Sequence, residues 1–158
     1  MSRVIRMAVP DDLGRMVDIE QRCFHGPAAY PREQLKYLAF KANSVCLVEE
    51  DNGIILGFII VLYRKGTQIA GIETLDVDHA FRNMGVGERL LVSAEKDMRS
   101  RGVTTARLEV SAGNRAAVCL YNKLGYRVAE HIKDYYIYEH NGTRDALRMV
   151  RDIPADSA

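Results

Sequence analysis

The sequence predicts an α/β (α+β) fold of about seven strands and about four helices, in a single domain spanning residues 1–158. Three observations carry that expectation. Apolar spacing switches along the chain between the near-continuous runs of buried strands and the three- and four-residue spacing of amphipathic helices. The resulting order, β-α-α, a β meander, then α-β-α-β-β, is that of helices layered on a sheet. Turn residues punctuate the segments, and no repeat, linker or low-complexity tract divides the chain.

Residues 4–8 suit a short edge strand, after which Pro10, Asp11 and Asp12 open a helix that runs to about Cys23. Proline and acids belong in a first helical turn. Leu13, Met16, Val17, Ile19 and Phe24 give this helix its apolar side. A loop, His-Gly-Pro-Ala-Ala-Tyr-Pro, leads to Pro31, which opens a second short helix with Leu35, Leu38 and Ala39 inward. Strands over 45–50 and 54–64 are joined by Asp51, Asn52 and Gly53, a hairpin signal. Lys65 and Gly66 then turn the chain into a third strand, 69–77.

The period changes after Gly87, where Leu90, Leu91, Ala94 and Met98 fall on one helix face. Glu88, Arg89, Glu95, Lys96 and Arg99 are expected to point to water, and Gly102 to cap the C-terminus. Residues 106–110 read as a strand, and 115–124 as a helix with Ala117, Leu120, Tyr121 and Leu124 on one face, stopped by Gly125. Two closing strands, 127–138 and 145–152, flank an Asn141-Gly142 turn.

Composition bounds the function. Hydrophobic residues make up 47% of the chain, and 22 Lys and Arg balance 21 Asp and Glu to a net charge of +1. That excludes a disordered chain and gives no basic surplus for nucleic-acid binding by charge. A chain of this length buries roughly 70% of its unfolded surface, enough for a core without staples. Cys23, Cys46 and Cys119 lack any Cys-x-x-Cys pair, so they read as buried free thiols rather than disulfide or zinc ligands. His25, His79, His131 and His140 show no metal-ligand spacing. No stretch reaches the ~20 apolar residues of a membrane helix, and no signal peptide is visible. The expectation is a cytoplasmic protein with no metal, nucleic-acid or membrane partner.

The most informative stretch is Arg82, Asn83, Met84, Gly85, Val86 and Gly87, between a strand and an amphipathic helix. Glycines let backbone N–H groups approach an anion, a helix N-terminus adds partial positive charge, and Arg82 adds a full one. Leu90 stands where a dinucleotide fingerprint would need glycine, and no Gly-Lys-Ser/Thr follows as in a P-loop. By itself the stretch fits either a structural turn or a phosphate cradle.

Arg82 to Gly87, following Ile72, Glu73, Thr74, Leu75, Asp76 and Val77, resembles the acetyl-CoA motif of the GNAT superfamily of N-acetyltransferases. Leu108, Glu109, Val110, then Asn114, Ala117, Leu120 and Tyr121, then Leu124, Gly125 and Tyr126 are similar to that family's second half. With Asp134, Tyr135, Tyr136 and the last strand, the likeness extends to the N-terminal protein acetyltransferases, and among them to the bacterial group acting on an N-terminal alanine of a ribosomal protein. It covers essentially residues 3–153.

The resemblance implies a GNAT fold, a mixed sheet splayed open to admit acetyl-CoA as cosubstrate. It implies that the backbone of Leu75, Asp76 and Val77 holds the pantetheine amides, the N–H groups from Arg82 to Gly87 the pyrophosphate, and Asn114 the pantetheine arm. It implies Glu109 as base and Tyr121, which also contacts the cosubstrate, as acid. Spacing alone also fits Tyr121 as a packed core tyrosine and Glu109 as a salt-bridged carboxylate. Glu73, two residues before Leu75 and expected on the same strand face, is a rival base or a ligand for the acceptor amine. Phe24 and Tyr30 on the early loop, with Tyr135 and Tyr136 on the late hairpin, are the expected acceptor-binding residues. The acceptor is expected to be a protein N-terminus or a small amine, and the enzyme a monomer or weak homodimer.

Overall fold

The computed structural model describes residues 2–155. Its seven strands are β1 (Arg3–Met7), β2 (Ser44–Asp51), β3 (Ile54–Tyr63), β4 (Ile69–Val77), β5 (Thr105–Ser111), β6 (Arg127–Ile132) and β7 (Ala146–Asp152). Its four helices are α1 (Leu13–Cys23), α2 (Arg32–Phe40), α3 (Val86–Ser100) and α4 (Arg115–Lys123). The strands form one mixed sheet in the order β1-β2-β3-β4-β5-β7-β6, in which only β4 and β5 run parallel. Asn52 and Gly53 adopt positive φ of 52° and 81° in the predicted hairpin turn.

The element faces follow from the apolar spacing. Leu90, Leu91, Ala94 and Met98 of α3 pack on Ile59, Val61, Ile72 and Leu108 of the sheet. Met16 and Ile19 of α1 and Leu35 and Leu38 of α2 cover the opposite face over Val48, Phe58 and Ile60. β3 feeds both layers, which is why its apolar run is continuous rather than alternating.

The sheet parts in its middle. Pairing of β4 with β5 runs only from Ile69↔Thr105 to Ile72↔Leu108, so Glu73–Val77 and Glu109–Ser111 diverge. On its other edge β4 stays paired to β3 up to Gly57↔Val77, with a bulge at Glu73 between Ile60↔Thr74 and Val61↔Ile72. A Cβ on Gly57 would lie 2.6 Å from the Asp76 carbonyl oxygen. Only glycine allows that approach. Gly57→Ala is therefore expected to destabilise the fold by about 1–3 kcal/mol, read as a lowered denaturant midpoint.

Four expectations need correction. The bulge interrupts the two-residue alternation, so Glu73 reaches Tyr30 on the α1 side while Leu75 packs toward the α3 core. β6 ends at Ile132, six residues before the predicted 138, because Asp134 takes a φ of 52° and the following segment becomes a loop. On α3, Glu95 is buried, not solvated: it accepts from the Tyr126 hydroxyl at 2.7 Å and from Arg151, and Arg89 is held in an ion pair. Glu95 lies one turn after Leu91, at the margin of the apolar face, where two layers meet it. Cys119 is exposed on α4 and Cys23 is half-buried, so only Cys46 is the buried thiol expected.

Candidate active site

The parted strands open onto a cavity of about 460 Å³ lined by Leu75, Val77, Arg82, Gly85, Gly87 and Leu120, among others. Gly85, at φ 80°, is the residue from which α3 starts, and Asn83 precedes it at φ 61°. This left-handed turn brings the start of a 15-residue helix to the cavity wall. Arg89 pins the turn: its Nη1 donates to the Met84 carbonyl at 2.9 Å, and its fork holds both Glu49 oxygens at 2.8 Å. Arg82 Nε donates to the Val77 carbonyl at 3.3 Å, which places its guanidinium at the cavity wall.

Two features suit this cavity to coenzyme A. Beyond Ile72 the β4 edge facing β5 has no strand partner, so backbone groups of Leu75 to Val77 are open to an extended ligand. A Cβ on Gly87 would sit 3.2 Å from Leu120 and within 4 Å of Leu75 and Val77, narrowing the space between the walls.

A second cavity of about 240 Å³ continues past the same strands, lined by Glu20, Phe24, Tyr30, Glu73, Glu109 and Tyr136, among others. The two cavities share Leu75, Asn114, Ala117 and Tyr121. Asn114 caps α4, its Oδ1 accepting from the Ala117 N–H at 3.2 Å, while its amide nitrogen has no partner among the described residues. Tyr121 is 7% exposed, its ring 5.8 Å from that of Tyr126, and its hydroxyl has no hydrogen bond among the described residues. Burial, then the nearby Asp76 and Tyr136, push the Tyr121 phenol well above the usual range, so it stays protonated.

Glu109 and Glu73 reach the second cavity from its two edges. Arg148, directly opposite on β7, donates from Nε to Glu109 Oε2 at 2.9 Å, while Oε1 lies 3.5 Å from the Tyr135 hydroxyl. Glu73 Oε1 accepts from the Tyr30 hydroxyl, and burial with that bond drives the Tyr30 phenol far upward. Tyr136 stands edge-on to Tyr135 at 4.9 Å and leans on His140 at 4.0 Å. Ser111 ties the late segment to β5 by donating to the His140 carbonyl at 2.6 Å.

Of the site residues expected from the sequence, all but Asp76, Met84 and Tyr135 line one of these cavities; Asp76 and Met84 adjoin lining residues in the chain, the Asp76 side chain being buried, and the Tyr135 hydroxyl lies 3.5 Å from Glu109. Sequence reasoning missed Arg89 and Arg148, whose roles depend on strand partners remote in sequence. It also missed Glu20 and His140, each placed in the second cavity by a segment carrying no motif of its own.

A sheet parted between parallel strands, a left-handed glycine turn opening a helix on one side and carboxylates around a buried phenol on the other, is the arrangement of an acyltransferase that uses an acyl-CoA thioester. The chain belongs to the acetyltransferase (GNAT) family, whose profile matches residues 13–126. It is thus an acetyl-CoA-dependent N-acetyltransferase. It is 28% identical over 150 residues to the ribosomal protein bS18-alanine N-acetyltransferase of Haemophilus ducreyi, covering 92% of this chain and 97% of that one. The crystal structure of the ribosomal-protein-S18-alanine N-acetyltransferase from Escherichia coli superposes with a TM-score of 0.86 at 26% identity, covering 99% of this chain and 96% of the other. That of Ard1 from Thermoplasma volcanium gives 0.83 at 25% identity, covering 98% and 99%.

Proposed function

We propose that this chain transfers the acetyl group of acetyl-CoA to the α-amine of a protein N-terminus of the ribosomal-protein-alanine type, in the cytoplasm and as one domain. The observation that carries the reading is the meeting of the two cavities at Tyr121 and Asn114, with Glu20, Glu73 and Glu109 on the acceptor side of that junction and Arg82 with the start of α3 on the other. The bound thioester supplies an activated acyl group, so the protein has to position it and manage two protons. The N–H groups from Arg82 to Gly87 and the open edge of Leu75 to Val77 hold the cosubstrate, with the free Asn114 amide on its arm.

At neutral pH the acceptor arrives largely as an ammonium and must lose a proton before it attacks. Glu109 Oε1 takes it, directly or through one water, because Arg148 engages the other oxygen. Tyr121 keeps its proton for the departing sulfur. Phe24, Tyr30 and Tyr136 wall the small cavity around the first residue of the acceptor. Beside it, Tyr135, Ile137 and Tyr138 are 43%, 83% and 50% exposed, an apolar surface for the chain that follows. Near full-length likeness to bS18-alanine enzymes supports the same acceptor class.

The test is steady-state turnover on peptides differing in their first residue against free amino acids, polyamines and other small amines. An N-terminal alanine peptide is expected to be the best acceptor. Faster turnover on a free small amine than on every peptide overturns the acceptor assignment.

A further inference from the structure

At the back of the acceptor cavity two carboxyl groups have buried oxygens that no donor reaches. Glu20 of α1 is 1% exposed; its Oε2 accepts from the Tyr30 backbone N–H at 3.0 Å, and its Oε1 has no partner. Asp76 of β4 is fully buried; its Oδ1 accepts from the Thr74 hydroxyl at 2.5 Å, and its Oδ2 has no partner. Glu20 is the side chain that, after burial, acts most strongly on the Asp76 carboxyl. Ionised carboxylates only accept, and two such charges in contact in a dry interior repel. A single proton between Oε1 and Oδ2 removes one charge and satisfies both orphaned oxygens.

We propose that Glu20 and Asp76 share one proton, and that this pair is a positioning device that locks the acceptor-side loop, residues 24–30, onto β4. Neither residue belongs to the two motifs read from the sequence beyond the backbone of Asp76. The link to the reaction is short. Glu20 holds the Tyr30 backbone, the Tyr30 hydroxyl holds Glu73, and both line the cavity assigned above to the acceptor. The inference rests on that assignment.

The groups facing the pair leave it no other donor. Thr74 serves Oδ1; Arg82 is spent on the Val77 carbonyl and, at 3.6 Å, on the Cys23 sulfur; Cys23 itself donates to the Val77 carbonyl. Cys46 of β2 and Tyr121 of α4 feel the Asp76 charge without bonding it. Burial first, then the neighbouring Glu20 carboxyl, hold the Asp76 carboxyl well above the usual carboxylate range. Because its folded pKa exceeds the unfolded one, the pair's stabilisation is complete below the unfolded value and is lost as pH rises through the folded one.

Infrared difference spectra of wild type against Asp76→Asn and Glu20→Gln at neutral pH test the proton. A protonated-carboxyl band present in wild type and missing from both variants is expected. Its absence from wild type overturns the proposal. Kinetics test the positioning role. In Asp76→Asn an amide hydrogen replaces the shared proton, whereas Asp76→Leu leaves Glu20 Oε1 without a donor, so the acceptor KM should be about ten-fold higher in Asp76→Leu than in Asp76→Asn. Equal acceptor KM values in the two variants overturn the role. Should Asp76→Leu not fold, unfolding midpoints carry the test: wild type must lose stability relative to Asp76→Asn as pH rises above the ordinary carboxylate range, and parallel curves overturn the proposal. Failure of the acetyltransfer reading would look different, with no peptide acetylated by wild type while the band and the pH slope remain.

Discussion

Tyr121→Phe is expected to lower turnover by about a hundred-fold or more and to leave CoA affinity within about two-fold. The hydroxyl has no hydrogen bond among the described residues, so its removal costs the fold nothing that the structure shows. The ring keeps its tilted contact with Tyr126 and its place in the α3 core. If Tyr121 were only a packed tyrosine, deleting an unpartnered hydroxyl would be neutral or mildly stabilising and turnover would not change. If instead it donates the proton to the leaving sulfur, it is needed in the transition state alone, so kcat and kcat/KM fall together. The measurement is single-turnover acetyl transfer on an alanine peptide, with a thermal midpoint and a CoA titration as controls. Near wild-type turnover would reduce Tyr121 to a wall of the cavity.

The architecture was legible because its signals are local. The Asn52-Gly53 turn, the apolar spacing from Leu90 to Met98 and the glycines at 85 and 87 each act within one element or one turn. All seven strands and four helices follow from such signals. The turn from Arg82 to Gly87 was readable for the same reason, since it is a strand, a turn and a helix start in sequence. What could not be read depends on pairings across the sheet. Glu95 looks solvated by period, yet Tyr126 and Arg151 close over it. The bulge opposite Ile60 and Val61 redirects Glu73, and no two-residue alternation foretells it. Arg148 reaches Glu109 only because β7 inserts between β5 and β6. Much of the second cavity's wall comes from α1, the loop after it and the segment after β6, three stretches without a shared motif.

The same cross-sheet contacts separate the two rival bases. Glu109→Gln is expected to lower kcat by about a hundred-fold or more, and Glu73→Gln to act mainly on the acceptor KM. Glu109 is held at one oxygen by Arg148, and a glutamine carbonyl can accept that same bond, so the substitution removes the base without freeing the arginine. Arg148 keeps Glu130 as a second partner at 2.9 Å in either case. The second oxygen of Glu109 faces the cavity with only the Tyr135 hydroxyl near it, at 3.5 Å. Glu73 is differently placed. Its Oε1 is engaged by the Tyr30 hydroxyl, a donor that burial and Glu73 itself keep protonated, so a proton taken up there would compete with an existing bond. That carboxylate is suited to holding the acceptor ammonium and the loop rather than to receiving the proton. Parallel kcat and KM measurements on both variants with one alanine peptide decide the matter: a larger kcat loss in Glu73→Gln than in Glu109→Gln would move the base to β4 and leave the Glu109 to Arg148 pair as a brace between β5 and β7.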